Sequence, residues 1–296
     1  MEKEKVLVLG LGEVGRPLYE ILIESGRFSV FALDRDENKM KEANACAPRG
    51  VVDVMHVCIP CYDREMFVDA VLNYIEKFDP EITIINSTVP PGTTREIKIR
   101  SGSYVAHSPV RGVHKSREHM KWELKRWTKY VGGADAKSAE LASEHFKKLG
   151  LKVKVLKSPI ETELAKLFET TYRAWMIACF QEMHRISRRF NADFDQIVDF
   201  LEDTHRVRFD RPPMFPDVIG GHCLIPNIKL LLQVYESEFL RLILNSNEKR
   251  KEEIRNDEVR REVEKIKKRV KKLERDLIII EKLLKTRKIS NEPSKP

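Results

Sequence analysis

The alternation of short aliphatic runs with helical stretches over the first half of the chain limits its fold more than any other feature. KVLVLG at 5–10 ends on a glycine and is followed at once by RPLYEILIESG, which stops at Gly26. The first run reads as a buried parallel strand and the second as a helix packed on it. SVFALD at 29–34, KMKEA, VVDVMHVCIP at 51–60, a helix from about Arg64 to Phe78, and EITIINS at 81–87 continue the pattern. Strands and helices at this spacing build right-handed βαβ units. The expected fold is therefore α/β, a doubly wound parallel Rossmann-type sheet. YVAHSP at 104–109 and KYVGG at 129–133 read as further strands, and KVKVL at 152–156 closes a domain set at 1–156.

After Ser158-Pro159 the strand signal ceases. Helical periodicity from Glu161 to Phe190, and again from about 194 to 203, predicts a small all-α domain at 157–245. Beyond it Val259, Val263, Ile266, Val270, Leu273, Leu277, Ile280 and Leu284 recur at alternating spacings of four and three. That is the seam of a coiled coil, expected over 246–288, with a disordered tail at 289–296. In a parallel pair Glu262 would meet Lys267 and Arg269 would meet Glu274, whereas Asp276 would repel Glu281, so a homodimer through the α-domain and the coiled coil is expected. The other reading is that the stripe docks on its own domain.

All but one unit of the formal net charge of +8 resides in that tail: residues 248–288 hold 17 Lys and Arg against 10 Asp and Glu. Its charges are mixed in sign and no aromatic residues interleave them, so nucleic acid is not an expected partner. No apolar run is long enough to span a bilayer, so no membrane association is expected. Five irregularly spaced cysteines argue for a reducing, cytoplasmic setting with free thiols. Cys58-Ile-Pro-Cys61 begins inside a buried strand and has no second pair, so no metal site is expected. Trp122, Trp127 and Trp175 read as packing residues.

Gly10-Leu-Gly12-Glu13-Val14-Gly15 stands between the first strand and the first helix, the context in which G-x-G-x-x-G marks a dinucleotide site. Gly10 permits the tight turn, Gly12 lets backbone approach a pyrophosphate, and Gly15 lets helix and strand pack closely. Asp34, beside Arg35, ends the second strand, where a carboxylate can accept from a ribose 2′-OH. That choice selects NAD over NADP.

VLGLGEVGRPL, STVPPGTT at 87–94, KLFETTYRAWMIACFQEM at 166–183 and IGGHC at 219–223 follow in an order that resembles the UDP-glucose/GDP-mannose dehydrogenase family. The resemblance covers about residues 4–230. It implies an NAD-dependent oxidation of a sugar alcohol through a covalent intermediate on Cys223, the position of the family's nucleophile. Taken alone, Cys223 reads as a buried structural thiol. The resemblance further implies that Lys166 stabilises alkoxide charge or accepts a proton, that Thr88 holds a water or the cofactor edge, and that Lys39 lies near the adenosine phosphates. Pro60 and Ser87 are expected to line the nicotinamide side at the strand ends. His222 is expected to support Cys223 rather than act as its base.

Three positions depart from the family pattern. Val110 stands where a glutamate assists thioester hydrolysis, Thr170 where an asparagine orients the oxyanion, and Asn227 where an aspartate supports the lysine. Valine cannot move a proton and an amide is no base at neutral pH. The tail helix also takes the place of the family's second α/β domain, which grips the nucleotide. An oxidation that stops at an aldehyde is one expectation. A non-catalytic NAD-binding module with an interaction tail is a second, and a β-hydroxyacid-dehydrogenase-like enzyme a third, against which the cysteine in GGHC argues.

Overall fold

A computed structural model describes residues 3–112, 114–221 and 223–290, with 277–290 as backbone alone. The expectations for His222 and for a disordered end at 291–296 lie outside the described residues. The chain divides into two compact units, residues up to Glu169 with Pro226–Glu236, and Thr170–Ile225 with the chain from Ser237.

The first unit is built on seven strands: β1 (Lys5–Leu9), β2 (Ser29–Leu33), β3 (Val54–Val57), β4 (Ile82–Ile85), β5 (Tyr104–His107), β6 (Lys129–Gly133) and β7 (Val153–Val155). Their order in the sheet is β2-β1-β3-β4-β5-β6-β7. Neighbours from β2 to β5 pair in parallel, and β3 and β4 at the centre are buried at every position, as a sheet covered on both faces requires. The reversal of strand order falls between β1 and β3, and crevices for ligands open outside the carboxyl ends of strands at such a point. β6, by contrast, runs antiparallel to β5. The connection through α5 (Arg117–Arg126) packs along α1 (Gly15–Glu24) and returns the chain at the edge where β5 ended, so the parallel sheet expected throughout reverses here.

Helices cover both faces: α2 (Glu37–Glu42), α3 (Arg64–Phe78), α4 (Thr93–Ser101) and α6 (Ala136–Lys148) join α1 and α5. Their starts are set by side-chain caps where the sequence supplies one. Asp63 accepts from the Met66 N–H, Ser116 from that of His119 and Asp135 from that of Ser138. Gly92, the N-cap of α4, has no side chain to offer. Glu163, from α7 (Pro159–Arg189), supplies the missing acceptor: its carboxylate takes the N–H groups of Gly92 (2.7 Å) and Thr94 (2.9 Å) and the Thr94 hydroxyl (2.6 Å). Trp122 and Trp127 lie at the surface rather than in the core, each under the guanidinium of Arg126. α9 (Leu224–Leu232) brings the chain back to this unit, and Gln233 donates to the Tyr62 carbonyl behind β3.

The second unit holds the rest of α7 with α8 (Phe194–Arg208), α10 (Glu238–Glu253) and α11 (Asp257–Ser290). The seam of α11 is occupied within the chain: Val263, Ile266 and Val270 are at most 2% exposed, and Val259 and Leu273 are also buried. Its charges are used in the same way. Glu262 meets Arg188 and His184 of α7, and Arg269 meets Glu202 and Asp199 of α8. The expected pairing of Glu262 with a partner's Lys267 is thus replaced, since Lys267 bonds Asp217. From Val259 to Leu273 the stripe serves its own domain, and the seam positions from Leu277 lie outside the described side chains.

Candidate active site

The glycine loop forms from backbone needs. Gly10 has φ +87° and donates its N–H to the Leu33 carbonyl at 2.8 Å, tying β1 to the end of β2. A Cβ on Gly15 would lie 1.8 Å from the Gly10 carbonyl oxygen, so only glycine lets α1 start this close to β1. Gly12 differs: a Cβ there would meet nothing within 4 Å, so the space over its backbone is open. Asp34 accepts the Leu11 N–H (2.6 Å) and the Asp36 N–H (2.9 Å), with the Lys39 ammonium 3.9 Å away. Loop, acid and lysine therefore converge at the carboxyl ends of β1 and β2. Glu13 is exposed and meets His114 at 2.8 Å, beside a cavity of about 290 Å³ that Gly12, Arg16 and Lys115 help to line. Arg35 is exposed, and Val14 caps α1 by backbone alone.

Across the reversal point, Ser87 donates its hydroxyl to the Ile59 carbonyl at 2.6 Å, joining the end of β4 to the turn that carries Pro60. Thr88 is half-buried in the next position. His107, fully buried at the end of β5, lies 3.1 Å from the Ser87 carbonyl through Nε2 and 2.8 Å from the Thr162 hydroxyl of α7 through Nδ1. A carbonyl only accepts, so Nε2 carries the proton. Burial pushes its pKa down to about 3 despite the bond to Ser87, and the ring is neutral. Lys129, opening β6, donates to the carbonyls of Ser108 (3.1 Å) and Pro109 (3.4 Å) and lies over the Phe146 ring. Its burial lowers its pKa to about 7. The charge of Lys166 on α7 bears on both His107 and Lys129, and its ammonium is 3.5 Å from Glu169. Asn227 is buried on α9 in this same unit.

Thr170 and Cys223 belong to the second unit. The strand-like loop before Cys223 is pinned there: the Ile219 N–H donates to Asn247 at 2.7 Å, and Gln181 donates to the Asp217 carbonyl at 2.7 Å. Gly221 turns with φ +81°. The Cys223 thiol is neither buried nor fully exposed. Cys58 and Cys61 have pKa values raised to about 12 by burial, so both thiols stay protonated at neutral pH.

His107, Lys129 and Glu163 were not singled out by sequence reasoning. A signal was present, because a histidine in YVAH and a lysine opening KYVGG are polar residues at buried positions of an apolar sheet.

Residues 160–249 match the central domain of the UDP-glucose/GDP-mannose dehydrogenase family. Over that segment the chain is similar to this family. The segment contains Lys166, Thr170, Cys223 and Asn227. UDP-N-acetyl-D-mannosamine dehydrogenase of Methanocaldococcus jannaschii is 28% identical over 261 residues, which are 75% of this chain and 60% of that protein. The chain thus spans about 60% of that relative's length. The Pyrococcus horikoshii protein of the same name is 25% identical over 83% of this chain and 68% of its own. Its solved structure, described as a UDP-D-ManNAc dehydrogenase, shares the fold with a TM-score of 0.68 at 23% identity, over 82% of this chain and 68% of that one. A Mycobacterium tuberculosis 3-hydroxyisobutyrate dehydrogenase structure also shares the fold, with a TM-score of 0.64 at 15% identity over 86% and 94% of the two chains. No helix among the described residues is long and apolar enough to cross a membrane.

Proposed function

We propose that the chain is an NAD-dependent dehydrogenase of a nucleotide sugar, of the UDP-N-acetyl-D-mannosamine class for which its relatives are named. The observation that carries this reading is the glycine loop at the strand-order reversal, with Asp34 at the end of β2, in a chain whose helical segment carries the family's central domain. The open space over Gly12 suits a pyrophosphate at the start of α1, where free N–H groups favour negative charge. Asp34 faces the adenosine ribose and repels a 2′-phosphate.

NAD, held by the glycine loop and Asp34, would supply the acceptor for the hydride that leaves the substrate carbon. The chain supplies the rest. Lys166, whose charge already acts on His107 and Lys129, steadies the alkoxide that forms as the alcohol loses its proton. Ser87 and Thr88 orient the reacting edge from the end of β4. The Cys223 sulfur would add to the aldehyde, its proton passing to the carbonyl oxygen, to give a thiohemiacetal; loss of a second hydride, for which a second NAD would be the acceptor, would then leave a thioester. Water must cleave that thioester to release acid and thiol. Val110 is buried where the resemblance implies a glutamate, so the second product leaves slowly or the aldehyde leaves first.

A homodimer completes this reading. Its contact is the exposed Tyr172, Ile186 and Phe190 of α7, joined by Phe239 and Leu242 of α10, with half-buried Trp175 packed on Phe239. Light scattering of Ile186→Asp tests it, with a monomer as the expected result. The activity is tested by incubating protein and NAD with a panel of UDP-N-acetylhexosamines, UDP-hexoses and β-hydroxyacids. NADH absorbance with the first group supports the proposal. Turnover of β-hydroxyacids alone, undiminished in Cys223→Ser, would replace it with a hydroxyacid dehydrogenase.

A further inference from the structure

One line of buried polar side chains crosses the sheet and has no part in the chemistry above. Asn86, at the carboxyl end of β4, donates through Nδ2 to the Ile84 carbonyl (3.1 Å) and lies 3.1 Å from His56 Nδ1. His56 Nε2 lies 2.9 Å from His145 Nε2, and His145 Nδ1 lies 3.0 Å from Glu4 Oε1. Asn86, His56 and His145 are 3%, 0% and 2% exposed, whereas Glu4 reaches the surface beside a cavity between Lys5, Asp53 and Lys148.

Hydrogen-bond chemistry orders every proton in this line. The Ile84 carbonyl can only accept, so the amide group facing it is NH₂, and the same group faces His56 Nδ1. His56 Nδ1 is then an acceptor and its Nε2 carries the proton. His145 Nε2 must accept it, so His145 Nδ1 donates to the Glu4 carboxylate. The direction is single, from Asn86 to the surface. Asn86 Oδ1 is left buried with no partner among the described residues.

We propose that Glu4, His145, His56 and Asn86 form an ordered proton wire through the sheet, and that Asn86 is a positioning residue for the crevice loop whose amide reverses when His145 takes up a proton. A proton from solvent on His145 gives its Nε2 a hydrogen, which His56 Nε2 must accept. His56 stays neutral but moves its own proton to Nδ1, and that N–H now faces a donor. The clash is relieved when Asn86 turns its idle Oδ1 toward His56, at the expense of the Ile84 carbonyl. Asn86 directly precedes Ser87 and Thr88, so the turn loosens the loop at the end of β4.

The surrounding charges favour this division of labour. Burial, His145 and Lys129 all hold His56 well below the usual histidine pKa, so it relays the proton rather than keeping it. Glu4, hydrogen-bonded to His145 and to Lys148, has its pKa lowered to about 2 and remains an anion beside His145. Lys148 is in turn balanced by Glu4, Glu144 and Glu81. The rings of Phe28 and Phe146 pack against His145 and exclude water from the inner part of the line.

The consequence for NAD rests on the crevice reading above; the wire does not. The experiment uses the full chain with ¹⁵N-labelled histidine, whose ring nitrogens report tautomer and charge, together with NAD titrations at pH about 8 and about 5. At the higher pH His56 is expected as the Nε2–H form and His145 as the Nδ1–H form. On acidification His56 changes tautomer, and NAD affinity falls several-fold at the same midpoint. Asn86→Asp demands a donor from His56, so it should show the switched spectrum already at the higher pH, with several-fold weaker NAD binding there. Glu4→Gln removes the anion at the exposed end and should move both midpoints to lower pH together, which keeps the test open should Asn86→Asp not fold. His56 found as the Nδ1–H form at the higher pH, or unchanged in tautomer on acidification, overturns the wire. An unchanged NAD affinity across the tautomer switch overturns the positioning role. Wild-type protein that binds no NAD at either pH sinks the crevice reading instead, and the spectrum still decides the wire.

Discussion

The two units hold their parts by different physics. In the first, a sheet with a buried core leaves little room around the glycine loop, and buried polar side chains such as His107 and Lys129 bond backbone carbonyls. In the second, four helices are tied by charge. Arg250 is wholly buried and donates to the Gln181 carbonyl at 2.9 Å, with Glu253 3.1 Å away and His184 against it. Arg185 reaches Glu253 and the Ser246 carbonyl, and Arg188 reaches Glu258 and Glu262. A sheet site is sensitive to volume, whereas a helical site of this kind is sensitive to the loss of a partner.

The largest effect expected from that contrast comes from Arg250→Ala. It strands His184 and the Gln181 carbonyl in the interior, and removing one member of a buried charged set costs about 3–5 kcal/mol. Urea unfolding should show the loss, while Arg250→Met, which fills the space without a charge, loses less. Gly15→Ala is next. Its Cβ collides with the Gly10 carbonyl, and overpacking of this kind costs roughly 1–3 kcal/mol. Gly12→Ala sharpens the comparison, since it should unfold like wild type yet bind NAD at least about tenfold more weakly, a difference of ~1.4 kcal/mol in a calorimetric titration. Glu163→Gln follows: an amide can accept from Gly92 or Thr94 but not from both through equivalent oxygens, and an unmade buried bond costs about 1–3 kcal/mol in thermal unfolding.

A further effect is a pH slope. Folded Lys129 loses its proton near pH 7, whereas an unfolded lysine keeps it to about 10.4. Between those values the unfolded chain binds more protons, so stability rises with pH; below the folded value both states are charged and the full cost of burial is present. Urea midpoints at successive pH values across that window should climb in wild type and lose this component in Lys129→Met. A slope unchanged by the substitution would assign it to other groups.

How much of this was legible in the sequence follows the same division. β1 to β4 and the glycine loop are set by local pattern, short apolar runs of which the first ends on Gly10, and those residues formed the elements their spacing predicts. The reversal of β6 was not legible, because strand direction depends on where α5 packs and not on the run KYVGG itself. The heptads of α11 carry the same spacing whether the stripe meets a partner helix or α8. The residues that decide it, Arg188, Glu202 and Asp217, lie 50 to 74 positions away from their partners. For the site, the motifs named the residues but not their supports: nothing near Ser108 and Pro109 in sequence marks them as the seat of a buried lysine.

The most direct test of the account is a single-turnover reaction with protein in excess over a UDP-N-acetylhexosamine, NAD present, read for NADH and for a covalent sugar adduct on Cys223 by intact-protein mass spectrometry. The account predicts NADH with an adduct that wild-type protein carries and Cys223→Ser lacks. Full NADH yield in Cys223→Ser, with no adduct in the wild type, would contradict it.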